Sequence, residues 1–208
     1  ERYNIGNQII MKRFIFALIS IIYFFISCDT STKASDNDIE EDSSLNLVRY
    51  AENFEIYPYK SGYKLIIKNL SKRNDTEFYV FNDSIKIPSD LNDKIIIRTP
   101  INSAIAFSST QWAVFQKLGE LDKVKGILES NYTKNEEILR LVSEGEIIDV
   151  GMSTNVNTEK VIHLQPDLIL YTPYPTLDFS NLGKLSGSTM LPFPDYLESH
   201  PLGRAEWK

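Results

Sequence analysis

The sequence predicts an α/β protein. A mostly parallel sheet with flanking helices is expected over residues 93–208, preceded by a small antiparallel β-hairpin region over 46–92. Three observations carry this. Short apolar runs such as Ile95-Ile-Ile, Ala104-Ile-Ala-Phe and Leu168-Ile-Leu alternate with stretches whose apolar residues recur at helical spacing. The helical stretches stop at Gly119 and before Pro166, where a free backbone or a missing N–H ends a helix. Between Tyr57 and Asn82 the residues are instead aromatic and β-branched, with a polar turn-forming gap at 69–75.

Taken in order, the chain opens with residues 1–10 ahead of Met11, read as an upstream extension. Lys12 and Arg13 then precede Phe14–Ile26, thirteen residues with only Ser20 polar. A membrane-crossing helix needs roughly 20 residues, so this run reads as the apolar core of an export signal spanning 11–27. It closes on Ser27-Cys28, and Cys28 is the only cysteine among 208 residues. An intrachain disulfide and a cysteine-based zinc cage are thereby excluded. Residues 28–45 are polar and acidic and read as a flexible tether.

In the body, Trp112, Val114, Phe115 and Leu118 mark a helix over 110–118, and Ile138, Leu139 and Val142 one over 135–143. A third is expected over 157–164, and a short one closes at Leu182–Leu185. Strands are expected at 124–128, 147–150, 167–171 and 189–193. The segment from Pro194 to Gly203 reads as an interrupted loop. In an open parallel sheet, ligands bind outside the carboxyl ends of the strands. The formal charge of −6 and the lack of a basic cluster argue against a nucleic-acid partner.

Three blocks then resemble one family. Ser27-Cys28 after its apolar run resembles a bacterial lipoprotein signal, in which the thiol is acylated. The stretch Gly151-Met-Ser-Thr-Asn-Val-Asn-Thr-Glu-Lys-Val-Ile-His-Leu-Gln-Pro-Asp-Leu-Ile-Leu170 resembles solute-binding proteins of ABC importers for ferric siderophores, heme and vitamin B12, the class III periplasmic binding proteins. Ser108–Ile127 resembles that family's first loop and helix, and Tyr196–Trp207 the last motif of its N-terminal lobe. The resemblance implies a Rossmann-like N-terminal lobe. It also implies a second lobe across a cleft, which this sequence does not contain, so the chain reads as truncated.

It further implies function. A lipid on Cys28 would hold the protein at a membrane, outside the cytoplasm. The partners would be a small-molecule chelate and the ABC permease subunits, with no cofactor. Glu159, in the Asn-x-Glu helix start, would dock on the permease; a carboxylate there is also favoured by the helix dipole alone. Ser109, Thr110, Trp112, Ser153, Thr154, Asn155, Thr172 and Tyr174 fall at or near predicted strand ends and are ligand-binding candidates, although Trp112 also suits a core position. Tyr196 and Arg204 join them; Arg204 would grip a ligand carboxylate or pair with Glu198. His163 and His200 lack ligand-spaced partners, and no metal site is expected. A surface lipoprotein serving as a protein-interaction module is the alternative. An extracytoplasmic hydrolase, with Asp195 and Glu198 as a carboxylate pair, lacks a Gly-x-Ser-x-Gly elbow.

Overall fold

The computed structural model describes residues 45–68, 75–174 and 179–208. The expected signal peptide, Cys28, the tether up to residue 44 and residues 69–74 of the turn lie outside these.

The first sheet grows from period-two patterning. Strands β1 (Phe54–Tyr59), β2 (Gly62–Ile67) and β3 (Thr76–Asn82) form an antiparallel meander. One face presents Phe54, Ile67 and Phe78; the other presents Tyr79 and Phe81, covered by Leu91. Strand β4 (Ile95–Thr99) joins as a fourth member, parallel to β3, with Val80 opposite Ile97. The sequence reading placed Ile95–Arg98 in the parallel sheet. The structure assigns it to the first sheet because Ile97 turns inward onto the Phe54–Phe78 cluster, and an apolar run of three residues does not specify which sheet it completes.

The second sheet holds β5 (Ala104–Ala106), β6 (Val124–Ile127), β7 (Ile148–Asp149), β10 (Leu168–Tyr171) and β11 (Thr189–Pro192); a separate small hairpin of β8 (Gly151–Met152) and β9 (Asn155–Val156) lies between β7 and β10 in the chain. Its spatial order is β11-β10-β5-β6-β7, and every pairing within it is parallel. The protein is thus a mixed α/β fold with a parallel sheet and flanking helices. The chain runs outward from β5 to β7, then returns to lay β10 on the opposite side of β5. A topological switch point therefore lies between β5 and β10, where the connections diverge to opposite faces.

Helices α1 (Ser109–Leu118) and α2 (Glu136–Ser143) cover one face over Ala106, Val124, Ile127 and Ile147. Helices α3 (Thr158–Leu164) and α4 (Ser180–Ser186) cover the other over Ile105, Val150 and Ile169. Asn135 and Asn157 cap α2 and α3 by accepting N–H bonds from Ile138 and Lys160, and Gly119 ends α1 in the left-handed region. The stretch read as an interrupted loop contains α5 (Pro201–Glu206). Pro201 occupies its first position, where a missing N–H costs nothing, and His200 Nδ1 accepts the Leu202 N–H.

The two sheets meet through Phe54, Ile67, Phe78 and Ile97 on one side and Leu168, Leu170, Phe193 and Trp207 on the other. Polar bonds fix this junction. Glu206 accepts the N–H groups of Arg49, Tyr50 and Ala51, and Glu198 those of Glu52 and Asn53. Glu198 is only 1% exposed and also accepts from Trp207 Nε1 at 2.8 Å. Gly203 is required beside it, since a Cβ there would lie 3.0 Å from both Glu198 Oε2 and the Tyr50 carbonyl.

Burial pushes the Glu198 carboxyl up, but the N–H groups of Glu52 and Asn53 and the Trp207 indole outweigh it and hold its pKa below the ordinary value. A depressed folded-state pKa contributes stability above the unfolded pKa, and that stability is lost as pH falls through the folded value. Glu198→Ala should therefore cost about 3 kcal/mol at neutral pH, because three donors lose a charged acceptor. Urea unfolding checks this. Below about pH 4 the gap between variant and parent should narrow; a gap that does not change with pH would contradict the assignment.

Candidate functional site

Loops leaving the carboxyl ends of β5, β6, β7 and β10 converge on one cleft of about 280 Å³. Phe107, Ser108 and Ser109 follow β5; Leu128, Glu129, Tyr132 and Thr133 follow β6; Ser153 follows β7; Thr172 and Tyr174 follow β10. Trp112 of α1 and Phe179, just ahead of α4, complete the wall. This is the switch-point end of the sheet, where diverging connections leave an opening.

A polar frame, partly behind the wall and partly within it, sets the loops. Gln111 is fully buried; its Oε1 accepts the Ser108 N–H at 3.0 Å and its Nε2 donates to Thr172 Oγ1 at 3.3 Å. One amide thus ties the β5 exit to the β10 exit across the switch point. Asp149, ending β7, accepts from the N–H and Oγ of Ser130 through Oδ2, and from the Gly151 N–H through Oδ1. Burial raises the Asp149 pKa, but these bonds and the Lys160 charge outweigh it and leave the carboxyl below its ordinary value. Glu129 is held in the left-handed region at φ 57°, rare for a residue with a side chain. Its Oε1 accepts both the N–H and the Oγ of Ser153, at 3.0 and 2.8 Å. Gly151, at φ 104°, starts the β8–β9 hairpin where a Cβ would lie 2.7 Å from the Asn155 carbonyl.

Of the residues expected from sequence, the structure brings Ser109, Trp112, Ser153, Thr172 and Tyr174 together on the cleft wall. Trp112 is also core, packed with Ile127 and Ile138. Tyr196 stacks on Tyr174 with ring centres 5.8 Å apart, and its hydroxyl donates to the Pro173 carbonyl, so it braces the rim. Thr110 pairs its hydroxyl with that of Ser108 behind the wall. Thr154 and Asn155 are exposed at the tip of the β8–β9 hairpin. Arg204 lies on α5, its Nε donating to the Glu198 carbonyl, and is not on the wall. Glu159 is exposed in the first turn of α3 and makes no ion pair among the described residues. Cys28 lies outside the described residues.

Sequence reasoning missed Phe107, Gln111, Glu129, Tyr132, Thr133 and Phe179. Gln111 had a signal, since Ser108-x-x-Gln111 has the spacing of a capping box. Glu129 had none, because a left-handed backbone at a non-glycine residue is imposed by its surroundings.

No family model matches the chain. It is 32% identical over 178 residues to an uncharacterized lipoprotein of Methanocaldococcus jannaschii, covering 79% of this chain and 42% of that protein. A second uncharacterized lipoprotein of that organism is 26% identical over 184 residues, covering 86% of this chain and 46% of the relative. The chain thus spans less than half the length of these relatives. Among solved structures it is similar to the iron-uptake ABC transporter substrate-binding protein PiuA of Streptococcus pneumoniae, at 21% identity and a TM-score of 0.40. That match covers 51% of this chain and 37% of PiuA.

The Asp149 brace is directly measurable. Asp149→Asn should speed hydrogen exchange at the Ser130 and Gly151 amides and lower stability by about 1–2 kcal/mol. Unchanged exchange at both amides would show that the carboxylate does not hold these loops.

Proposed function

We propose that this chain is the substrate-capturing lobe of a lipid-anchored, extracytoplasmic solute-binding protein, which takes up a metal chelate of the ferric-siderophore, heme or cobalamin type and delivers it to an ABC permease. The observation that carries this reading is the convergence of four strand-end loops on a cleft walled by aromatic rings and hydroxyls. Large, partly apolar ligands are held by such surfaces, in which flat rings supply area and a few polar groups supply orientation.

Two further points support the reading. Both relatives from Methanocaldococcus jannaschii are named as lipoproteins, which fits acylation of Cys28 and a location outside the cytoplasm. Glu159 is exposed and unpaired among the described residues, just after the hairpin that carries Ser153, so its carboxylate is available to a cationic partner at that end of the molecule. Permease arginines would supply the opposite charge.

The test has two arms. Chelate titration should quench Trp112 fluorescence, because that indole lines the cleft. Co-purification with permease subunits should be lost on Glu159→Arg, which reverses an exposed charge and should leave stability within about 0.5 kcal/mol. Quenching with unimpaired co-purification would remove Glu159 from the docking role, and the failure of both arms would remove the transport reading.

A further inference from the structure

Resting on the capture reading above and narrowing its ligand class, we infer that this lobe selects neutral or cationic chelates with an apolar or aromatic face and discriminates against anionic ones. The cleft wall contains Phe107, Trp112, Tyr132, Tyr174 and Phe179, and among the described residues its one charged side chain is Glu129. Among the described residues no lysine, arginine or histidine lines it. Of the cations expected or found near this end of the sheet, two are engaged elsewhere, and Lys134, next to the wall residue Thr133, is exposed and does not line the cleft. Arg204 donates through Nε to the Glu198 carbonyl, and Lys160 donates to the Asp149 carbonyl at 2.7 Å.

The carboxylate and the rings act in the same direction. Ring faces carry the negative end of the aromatic quadrupole and attract cations. A carboxylate fixed beside apolar rings repels an anion that docks against them more strongly than it would in bulk water. The arrangement is also pre-set. Glu129 is locked by its left-handed backbone and by Ser153, while among the described residues its Oε2 accepts no hydrogen bond. Phe179 meets Phe107 edge-on at 5.2 Å, and Tyr174 is backed by the Tyr196 ring.

The test compares three probes of different charge by tryptophan quenching of the purified protein, at low and high salt. The probes are ferrioxamine B, a monocationic hydroxamate chelate; cyanocobalamin, a neutral corrinoid; and a trianionic ferric tris-catecholate. The cation or the neutral corrinoid should bind at least about tenfold more tightly than the trianion, with the gap shrinking as salt rises. Glu129→Gln keeps an Oε1 acceptor for Ser153 and should bring the gap within about threefold. The comparison of probes on the unmodified protein stands whether or not the variant folds. If the trianion binds as tightly as the other probes or more tightly, charge selection falls while chelate capture stands. A gap untouched by Glu129→Gln would overturn the assignment to Glu129. If none of the three binds, capture itself falls and the charge inference with it.

Discussion

Five consecutive backbone N–H groups, from Arg49 to Asn53, point at two carboxylates that lie 145 to 157 residues later in the chain. Asn53 is buried, and its N–H without an acceptor would cost about as much as a lost hydrogen bond, while Arg49, Tyr50 and Glu52 lie at the surface. Glu198 removes that cost, and the donors in turn keep both carboxyls ionised: burial acts against each charge, and the backbone bonds outweigh it. The same contact brings Trp207 against Phe54 at 4.4 Å and Phe193 at 5.0 Å, so the polar clamp and the apolar junction form together. Because its halves lie near opposite ends of the described chain, closing it ties the first sheet to the second in one cooperative unit.

With the sheets joined in this way, the carboxyl ends of the parallel strands are left to form the cleft. Strand ends at a switch point diverge by construction, and the loops there need a frame of their own. Gln111, Asp149 and Glu129 supply it, each bridging loops from different strands. Gln111 and Asp149 thus sit behind the wall, while Glu129 is part of it beside the rings. Polar bonds fix loop position, while the aromatic surface provides contact area at small cost in conformational freedom.

The proposed roles divide along the same line. The wall residues act on a ligand, the frame residues act on the wall, and Glu159 on the adjacent helix addresses a protein partner. A binding lobe needs a rigid, pre-set surface more than it needs a reactive group, because ordering the site on binding subtracts from affinity. The left-handed Glu129 and the stacked Tyr174–Tyr196 pair are therefore intelligible as pre-organisation.

Periodicity and punctuation in the sequence were enough to determine the α/β class, the helices capped by Asn135 and Asn157, the stop at Gly119, and the parallel strands around Leu168–Tyr171. From these follow the strand-end positions of Ser109, Ser153, Thr172 and Tyr174, because a strand's carboxyl end is a local property of the chain. Only the tertiary structure decided which sheet receives Ile95–Thr99 and that the helix begun by Pro201 packs through Gly203 on Tyr50. It alone placed Glu129 at the wall. Each of these depends on a partner distant in sequence, and side-chain periodicity carries no information about which distant group will satisfy a donor, a charge or an open face.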